Sequence, residues 1–88
     1  MRKYSRLREK ILAGTADSSF DSSALCQLLL RLGFEERVKG GHHIFTRDGI
    51  EEIINLQPKG RNAKAYQVKQ VRYILVKHRL GESDVDQV

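Results

Sequence analysis

The residues best suited to chemistry are two adjacent histidines, His42 and His43, which follow a pair of glycines. Two glycines permit a sharp chain reversal, and the residues after them can alternate between the two faces of a strand. His42 would then share one face with Ile44, and His43 would share the other face with Phe45. A free imidazole titrates near pH ~6.5, so an exposed one suits general acid/base catalysis or contact with phosphate. The sequence therefore predicts one histidine that faces solvent or substrate and one that packs beside an aromatic ring.

Positive charge is concentrated around and after these histidines. The chain of 88 residues has a net charge of +5, and residues 37–79 contain ten basic and three acidic side chains. Such a segment suits a polyanion, either nucleic acid or the acidic surface of a partner protein, although lysine and arginine also serve solubility alone. The candidate phosphate contacts are Arg37, Lys39, Arg47, Lys59, Arg61 and Lys64.

Other chemistries find little support in the sequence. Cys26 is the only cysteine, which excludes an intrachain disulfide and fits a packed thiol in a reducing compartment. The adjacent histidines lack the spaced ligand set of a metal site, and no glycine-rich phosphate loop or nucleophile motif occurs. No apolar run approaches the roughly 20 residues that cross a bilayer. The sequence thus predicts a cytoplasmic protein without membrane association, metal or cofactor.

Two helices are predicted before the histidines. Apolar residues at helical spacing over 2–12, with a glycine beyond them, indicate a first helix, and the small polar linker after it indicates an appendage. Asp21 can cap a second helix by accepting from the backbone of Ser23 or Ala24. That helix carries a leucine stripe, which is typical of packing, and Gly33 can end it.

Three strands and a last helix are predicted to follow. Residues alternate with the period of two that is typical of strands over 34–39, 42–47 and 50–56. Two glycines separate the first two segments and an Asp-Gly pair separates the last two, which indicates an antiparallel meander. Helical spacing resumes over 66–79, and it places four cations on the exposed side of the last helix: Lys69, Arg72, Lys77 and Arg79. The sequence therefore predicts an α+β domain of three strands and two covering helices over 20–81. The first helix and linker occupy 1–19, and a disordered acidic tail occupies 82–88.

The helix-strand-strand-strand-helix order is that of the double-stranded-RNA-binding fold. The run from Leu25 to Phe34, the stretch Lys39-Gly-Gly-His-His-Ile-Phe-Thr46, the Asp-Gly hairpin and the helix start Tyr66-Gln-Val-Lys-Gln-Val71 together resemble the HicA toxin family. The resemblance spans roughly residues 24–79. It implies a double-stranded-RNA-binding-like fold with an additional N-terminal helix.

The resemblance also implies a function. HicA proteins are toxins of toxin-antitoxin pairs, metal-independent ribonucleases that cut mRNA and are neutralised by a HicB-type antitoxin. The histidine that follows the family's Gly-Ser pair corresponds to His42, which would be the catalytic residue, and His43 and Gly41 would be auxiliary. Gly41 replaces the family's serine, so a hydroxyl that could contact phosphate is missing. Two alternatives stay open: a non-catalytic RNA-binding module and a basic protein-interaction domain.

Overall fold

Three helices and a three-stranded antiparallel sheet form the fold in the computed structural model, which describes residues 3–57 and 61–81. The predicted α+β class and its element order are confirmed. No helix within these two ranges is both long and apolar enough to pass through a bilayer. The elements in chain order are α1 (Lys3–Ala13), α2 (Ser22–Arg31), β1 (Glu35–Lys39), β2 (His42–Arg47), β3 (Ile50–Leu56) and α3 (Ala65–Lys77).

Two tight turns set the order β1-β2-β3 in the sheet. Between β1 and β2, both glycines have positive φ, 55° at Gly40 and 83° at Gly41, a backbone that matches the twist of a two-residue hairpin. This turn pairs Lys39 with His42 and fixes the register of the first hairpin. The predicted Asp-Gly turn joins β2 to β3, and the pairing of these strands shifts between Phe45 and Arg47. The predicted meander is confirmed.

Local polar groups begin the second helix and tie it to the loop after the sheet. Asp21 accepts hydrogen bonds from the backbone N–H groups of Ser23 and Ala24, at 2.8 and 3.4 Å, as the sequence predicts. The backbone N–H of Ser22 donates to the carbonyl oxygen of Arg61 at 2.9 Å, and the Ser22 hydroxyl donates to the same oxygen. The start of α2 is therefore fastened beside the segment that leads into α3.

The hydrophobic core lies between one face of the sheet and the helices. Phe45, Ile54 and Leu56 supply the sheet side, and each is at most 1% exposed. The leucine stripe of α2 and the apolar face of α3 join them in one cluster. The last helix ends at Lys77, two residues earlier than its spacing predicts; His78 is its C-cap, and Arg79 has the left-handed φ of 54°.

The first helix packs onto this core rather than standing apart as an appendage. Ile11 is fully buried within the same cluster. Arg72 of α3, predicted on an exposed basic side, is half-buried: its Nε donates to the Ile11 carbonyl oxygen at 2.8 Å, and its guanidinium also binds the Asp17 carboxylate. From α1, Arg8 donates to the Leu80 carbonyl oxygen at 2.8 Å. The two arginines satisfy backbone carbonyls where helices end, and this holds α1 against α3.

A second tertiary contact links β3 to the end of α3 through charge. Glu52 accepts hydrogen bonds from Lys77 Nζ at 2.6 Å and from His78 Nε2 at 2.8 Å. These hydrogen bonds hold the pKa of the Glu52 carboxyl at about 2, below its ordinary 4.5. The bond from Lys77 has the larger effect, and the bond from His78 the next largest. Ionised Glu52 therefore stabilises the fold above pH 4.5, and this contribution disappears as the pH falls through about 2.

This contact predicts a defined pH dependence of stability. The melting temperature of Glu52→Gln should lie below that of the wild-type chain at neutral pH, and the difference should vanish on acidification towards pH 2. Thermal unfolding followed by circular dichroism across this range measures the difference. Glu51→Gln, at the neighbouring exposed position, is the matched control and should follow the wild-type curve. A difference that stays constant down to pH 2 would contradict this role of Glu52.

Candidate functional site

The two adjacent histidines lie on opposite faces of the sheet. Phe45 is fully buried on the core face, so strand alternation places His43 on that face and His42 on the other, open face. The predicted separation of the two imidazoles is confirmed. Each ring therefore has its own surroundings, and the two sites can be treated separately.

On the open face, the His42 ring is held by one side chain of β3. Its Nδ1 lies 3.0 Å from Oδ1 of Asn55. An amide oxygen only accepts hydrogen bonds, so Nδ1 carries the proton of this contact and donates it. In the neutral ring, the lone pair is consequently on Nε2. Asn55 thus orients the imidazole and leaves Nε2 as the nitrogen that can exchange a proton.

The His42 ring borders a shallow cleft of about 250 Å³ between the open face and the start of α3. Most of the cleft wall consists of amides, and one exposed aromatic ring stands beside them. Gln67 is almost fully buried, and its Nε2 is a buried donor without a partner among the described residues, while its Oε1 accepts from the Lys64 backbone at 2.9 Å. The other lining residues are Ile53, Asn55, Gln57, Tyr66 and Gln70.

Two of the predicted phosphate contacts share the open face with His42. The register places Lys39 opposite His42 and Arg37 opposite Ile44, and both cations are exposed. Cross-strand partners have side chains on the same face, so Arg37 and Lys39 line up beside the imidazole. Lys64 is also exposed, and its backbone N–H donates to Oε1 of Gln67, a residue that lines the cleft.

The remaining predicted cations are elsewhere. Arg47 is five residues from His42 along β2, roughly 16 Å at a rise of about 3.3 Å per residue, and its guanidinium lies beside Gly33. Arg61 borders the pocket on the other side of the sheet, next to His43. Lys59 lies outside the described residues. The structure thus brings together Arg37, Lys39 and His42 on one face, places Lys64 next to the cleft residue Gln67, and separates Arg47 and Arg61 from them.

Gly41 acts through its backbone. Its φ of 83° belongs to the left-handed region that favours glycine, although a Cβ at this position would meet open space. A serine here would fit sterically but would strain the turn. The residue that precedes His42 therefore sets the hairpin geometry, and the contact that a hydroxyl would add is missing.

On the core face, His43 is paired with a carboxylate. Its Nδ1 lies 2.6 Å from Oε2 of Glu36, and both side chains are about three-quarters buried. The pair borders an open pocket of about 380 Å³ that also includes the first turn of α2, Cys26 and Arg61. The sequence predicts that His43 packs near Phe45, and the two residues do lie on the same face of the sheet. It does not predict the pairing with Glu36.

The thiol in this pocket is a poor nucleophile. Burial and, secondarily, the negative charge of Glu36 raise the pKa of Cys26 to about 11. The thiol is therefore protonated at neutral pH, whereas nucleophilic cysteines are thiolates. This argues against a Cys-His-Glu arrangement for covalent catalysis, although the three residues lie together.

Sequence reasoning does not single out two residues of the His42 site, Asn55 and Gln67. The position of Asn55 could have been predicted, because strand alternation places Ile54 and Leu56 on the core face and Asn55 on the open face. Nothing in the sequence signals Gln67, which occupies a buried helical position of the kind usually held by an apolar residue.

Comparisons with known proteins add no relatives to this description. No protein-family model matches the chain, and neither the curated proteins nor the solved structures contain a match.

Proposed function

We propose that this chain is a HicA-type toxin, a metal-independent ribonuclease that cuts mRNA in the cytoplasm with His42 as its general acid or base. The observation that carries the proposal is the placement of the His42 ring on the open sheet face, with its Nδ1 bonded to Asn55. The order from α2 through the three strands to α3 supports the double-stranded-RNA-binding-like label that belongs to the same proposal.

The reaction needs one proton removed and one supplied. In RNA cleavage without a metal, the ribose 2′-oxygen attacks the adjacent phosphorus, and the bond from phosphorus to the 5′-oxygen breaks. A base takes the proton of the 2′-hydroxyl, and an acid gives one to the leaving 5′-oxygen. His42 Nε2 can take the proton of the 2′-hydroxyl when the ring is neutral, or give a proton to the 5′-oxygen when the ring is protonated. One such group contributes about 10² to 10⁴ in rate, which suits a slow nuclease.

Cations beside the imidazole support a phosphate substrate. Negative charge grows on the phosphate oxygens during the attack, and fixed positive groups stabilise it. Arg37 and Lys39 are on the same face as His42, one strand away. Lys64, exposed beside the cleft, can contact a neighbouring phosphate of the same chain.

The cleft favours a single-stranded region of the RNA. Tyr66 is 67% exposed and offers an aromatic face on which an unpaired base can stack. The amides of Gln57 and Gln70 line the same cleft, and amides can bind base edges that pairing would otherwise occupy. A base held there would lie next to the His42 ring.

An acidic antitoxin of the HicB type is the second partner in this proposal. On α3, Tyr73 and Val76 are exposed, and Lys69 and Lys77 flank them in a shallow apolar depression. Exposed apolar groups ringed by cations suit a protein partner with apolar anchors and acidic side chains. This surface also favours the protein-interaction alternative, which is compatible with the toxin function.

The test of the proposed activity is digestion of single-stranded RNA by the purified chain in the presence of a chelator. We expect fragments that end in 2′,3′-cyclic phosphate, and we expect growth arrest when the chain is produced in bacteria. Salt-sensitive binding without fragments would instead identify a non-catalytic RNA-binding module. A stable complex with the product of the neighbouring gene, formed without RNA, would support the antitoxin.

A further inference from the structure

We propose that Cys26, Glu36 and His43 form a binding site for a divalent transition-metal ion such as Zn²⁺. The three residues come from α2, β1 and β2, and their ligand atoms all lie within 4.8 Å of one another. Thiolate, imidazole and carboxylate are the three side-chain groups that zinc sites in proteins use. This site is separate from the proposed ribonuclease, which uses no metal.

The geometry fits a tetrahedral ion with small side-chain adjustments. Zinc bonds of about 2.0–2.3 Å place neighbouring ligand atoms roughly 3.4 Å apart in a tetrahedron. His43 Nδ1 and Glu36 Oε2 are 2.6 Å apart and would have to separate slightly. Both side chains are partly exposed, so rotation about their side-chain bonds can provide this. Cys26 is 9% exposed and is fixed by α2, which makes it the rigid member of the set.

Charge in the pocket also favours a divalent cation. Asp21 and Glu36 bring two carboxylates, and Arg61 brings one guanidinium. Metal binding releases the thiol proton, which adds a third negative group. Three negative groups and one positive group leave two negative charges, which a divalent ion cancels. The pocket is open to solvent, so a water molecule can occupy the fourth position.

The position of the site indicates a structural role. The ion would cross-link α2 to the first hairpin on the core face, whereas His42 lies on the open face. Removing the ion should therefore loosen the contact between α2 and the sheet without removing a catalytic group. A chelator should leave the proposed RNA cleavage in place.

Titration of the full chain with Co²⁺ tests the site, because cobalt reports its own ligands. We expect one Co²⁺ per chain, a monomer by gel filtration, a near-ultraviolet thiolate-to-cobalt charge-transfer band and the intense visible bands of four-coordinate cobalt. Zn²⁺ should bleach these bands by displacement. Because Cys26 is the only cysteine, any thiolate band must arise from it.

Three variants separate the site from other metal-binding groups. Cys26→Ser should lose the charge-transfer band, and Glu36→Gln, at a partly exposed position, should keep the band but bind Co²⁺ about tenfold or more weakly. His42→Ala, which removes the neighbouring histidine on the other face, should bind as the wild-type chain does. The proposal is overturned if the wild-type chain shows no thiolate band, if one ion joins two chains, or if Glu36→Gln binds with unchanged affinity.

Discussion

Replacing His42 with alanine is expected to slow RNA cleavage by about 10²- to 10⁴-fold, the usual contribution of one general acid/base group. The substitution removes the only imidazole on the open sheet face of the described residues, while Asn55 and the nearby cations stay in place. RNA binding should change little, because phosphate contacts rather than the imidazole supply most of the affinity. Single-turnover cleavage of a fluorescent oligonucleotide, with binding measured by anisotropy, separates the two effects.

His43→Ala is the informative comparison, because it removes the adjacent histidine from the same strand. Its ring lies on the core face beside Glu36, away from Arg37 and Lys39. We expect this variant to keep most of the cleavage activity, provided that circular dichroism shows the wild-type fold. Loss of activity in His43→Ala with normal cleavage by His42→Ala would move the active site to the other face of the sheet.

Replacing Ile54 with alanine is expected to lower the free energy of unfolding by about 2–5 kcal/mol. Ile54 is fully buried, pairs with Phe45 across the β2–β3 ladder and belongs to the main core cluster. Shortening its side chain removes apolar area from the core and leaves a cavity. A small domain has roughly 5–15 kcal/mol of stability in all, so this one change removes a large share. Urea denaturation followed by circular dichroism measures the loss.

The chain supplies its own matched control in the preceding residue. Ile53 is the same residue type in the same strand, but it faces the open side and is 58% exposed. Ile53→Ala should change the stability by no more than about 0.5 kcal/mol. An equal decrease in the free energy of unfolding in the two variants would contradict the difference in burial between the two faces of β3.

The features that the sequence predicts well depend on residues close together in the chain. The Gly-Gly and Asp-Gly turns and the Asp21 cap each involve only a few consecutive positions. The opposite placement of the two histidines follows from strand alternation once the hairpin is assigned. In each of these cases, local backbone geometry and the identity of a few neighbouring residues determine the outcome.

The features that sequence reasoning misses depend on tertiary placement. The bond between His42 and Asn55 joins residues 13 positions apart, and the set of Cys26, Glu36 and His43 spans three elements without regular spacing. The small polar linker after α1 predicts that this helix is an appendage, yet Ile11 of α1 is buried in the core. Composition records a segment's polarity, but burial depends on which surfaces the fold brings beside it.

The cations illustrate the same limit within the candidate site. In the sequence, all six candidate phosphate contacts belong to one basic segment. Only the register of β1 against β2 shows that Arg37 and Lys39 lie beside His42, whereas Arg47 lies at the far end of its strand. Arg61 is carried to the other face by its contact with the start of α2. The sequence thus gives the number of charges, and the sheet register decides which of them lie on one face.

Two neighbouring codons encode imidazoles that lie on opposite faces of the sheet and have different partners. A substitution at either one can accumulate without altering the surroundings of the other, so the two positions can evolve under separate selection. An insertion or deletion in the glycine turn that shifts the pairing of β1 with β2 by one residue has the opposite effect, because it exchanges the faces and alters both positions at once. A change in the length of that turn should therefore be tolerated less in lineages of this chain than a substitution at one histidine, which affects one site and leaves the other intact.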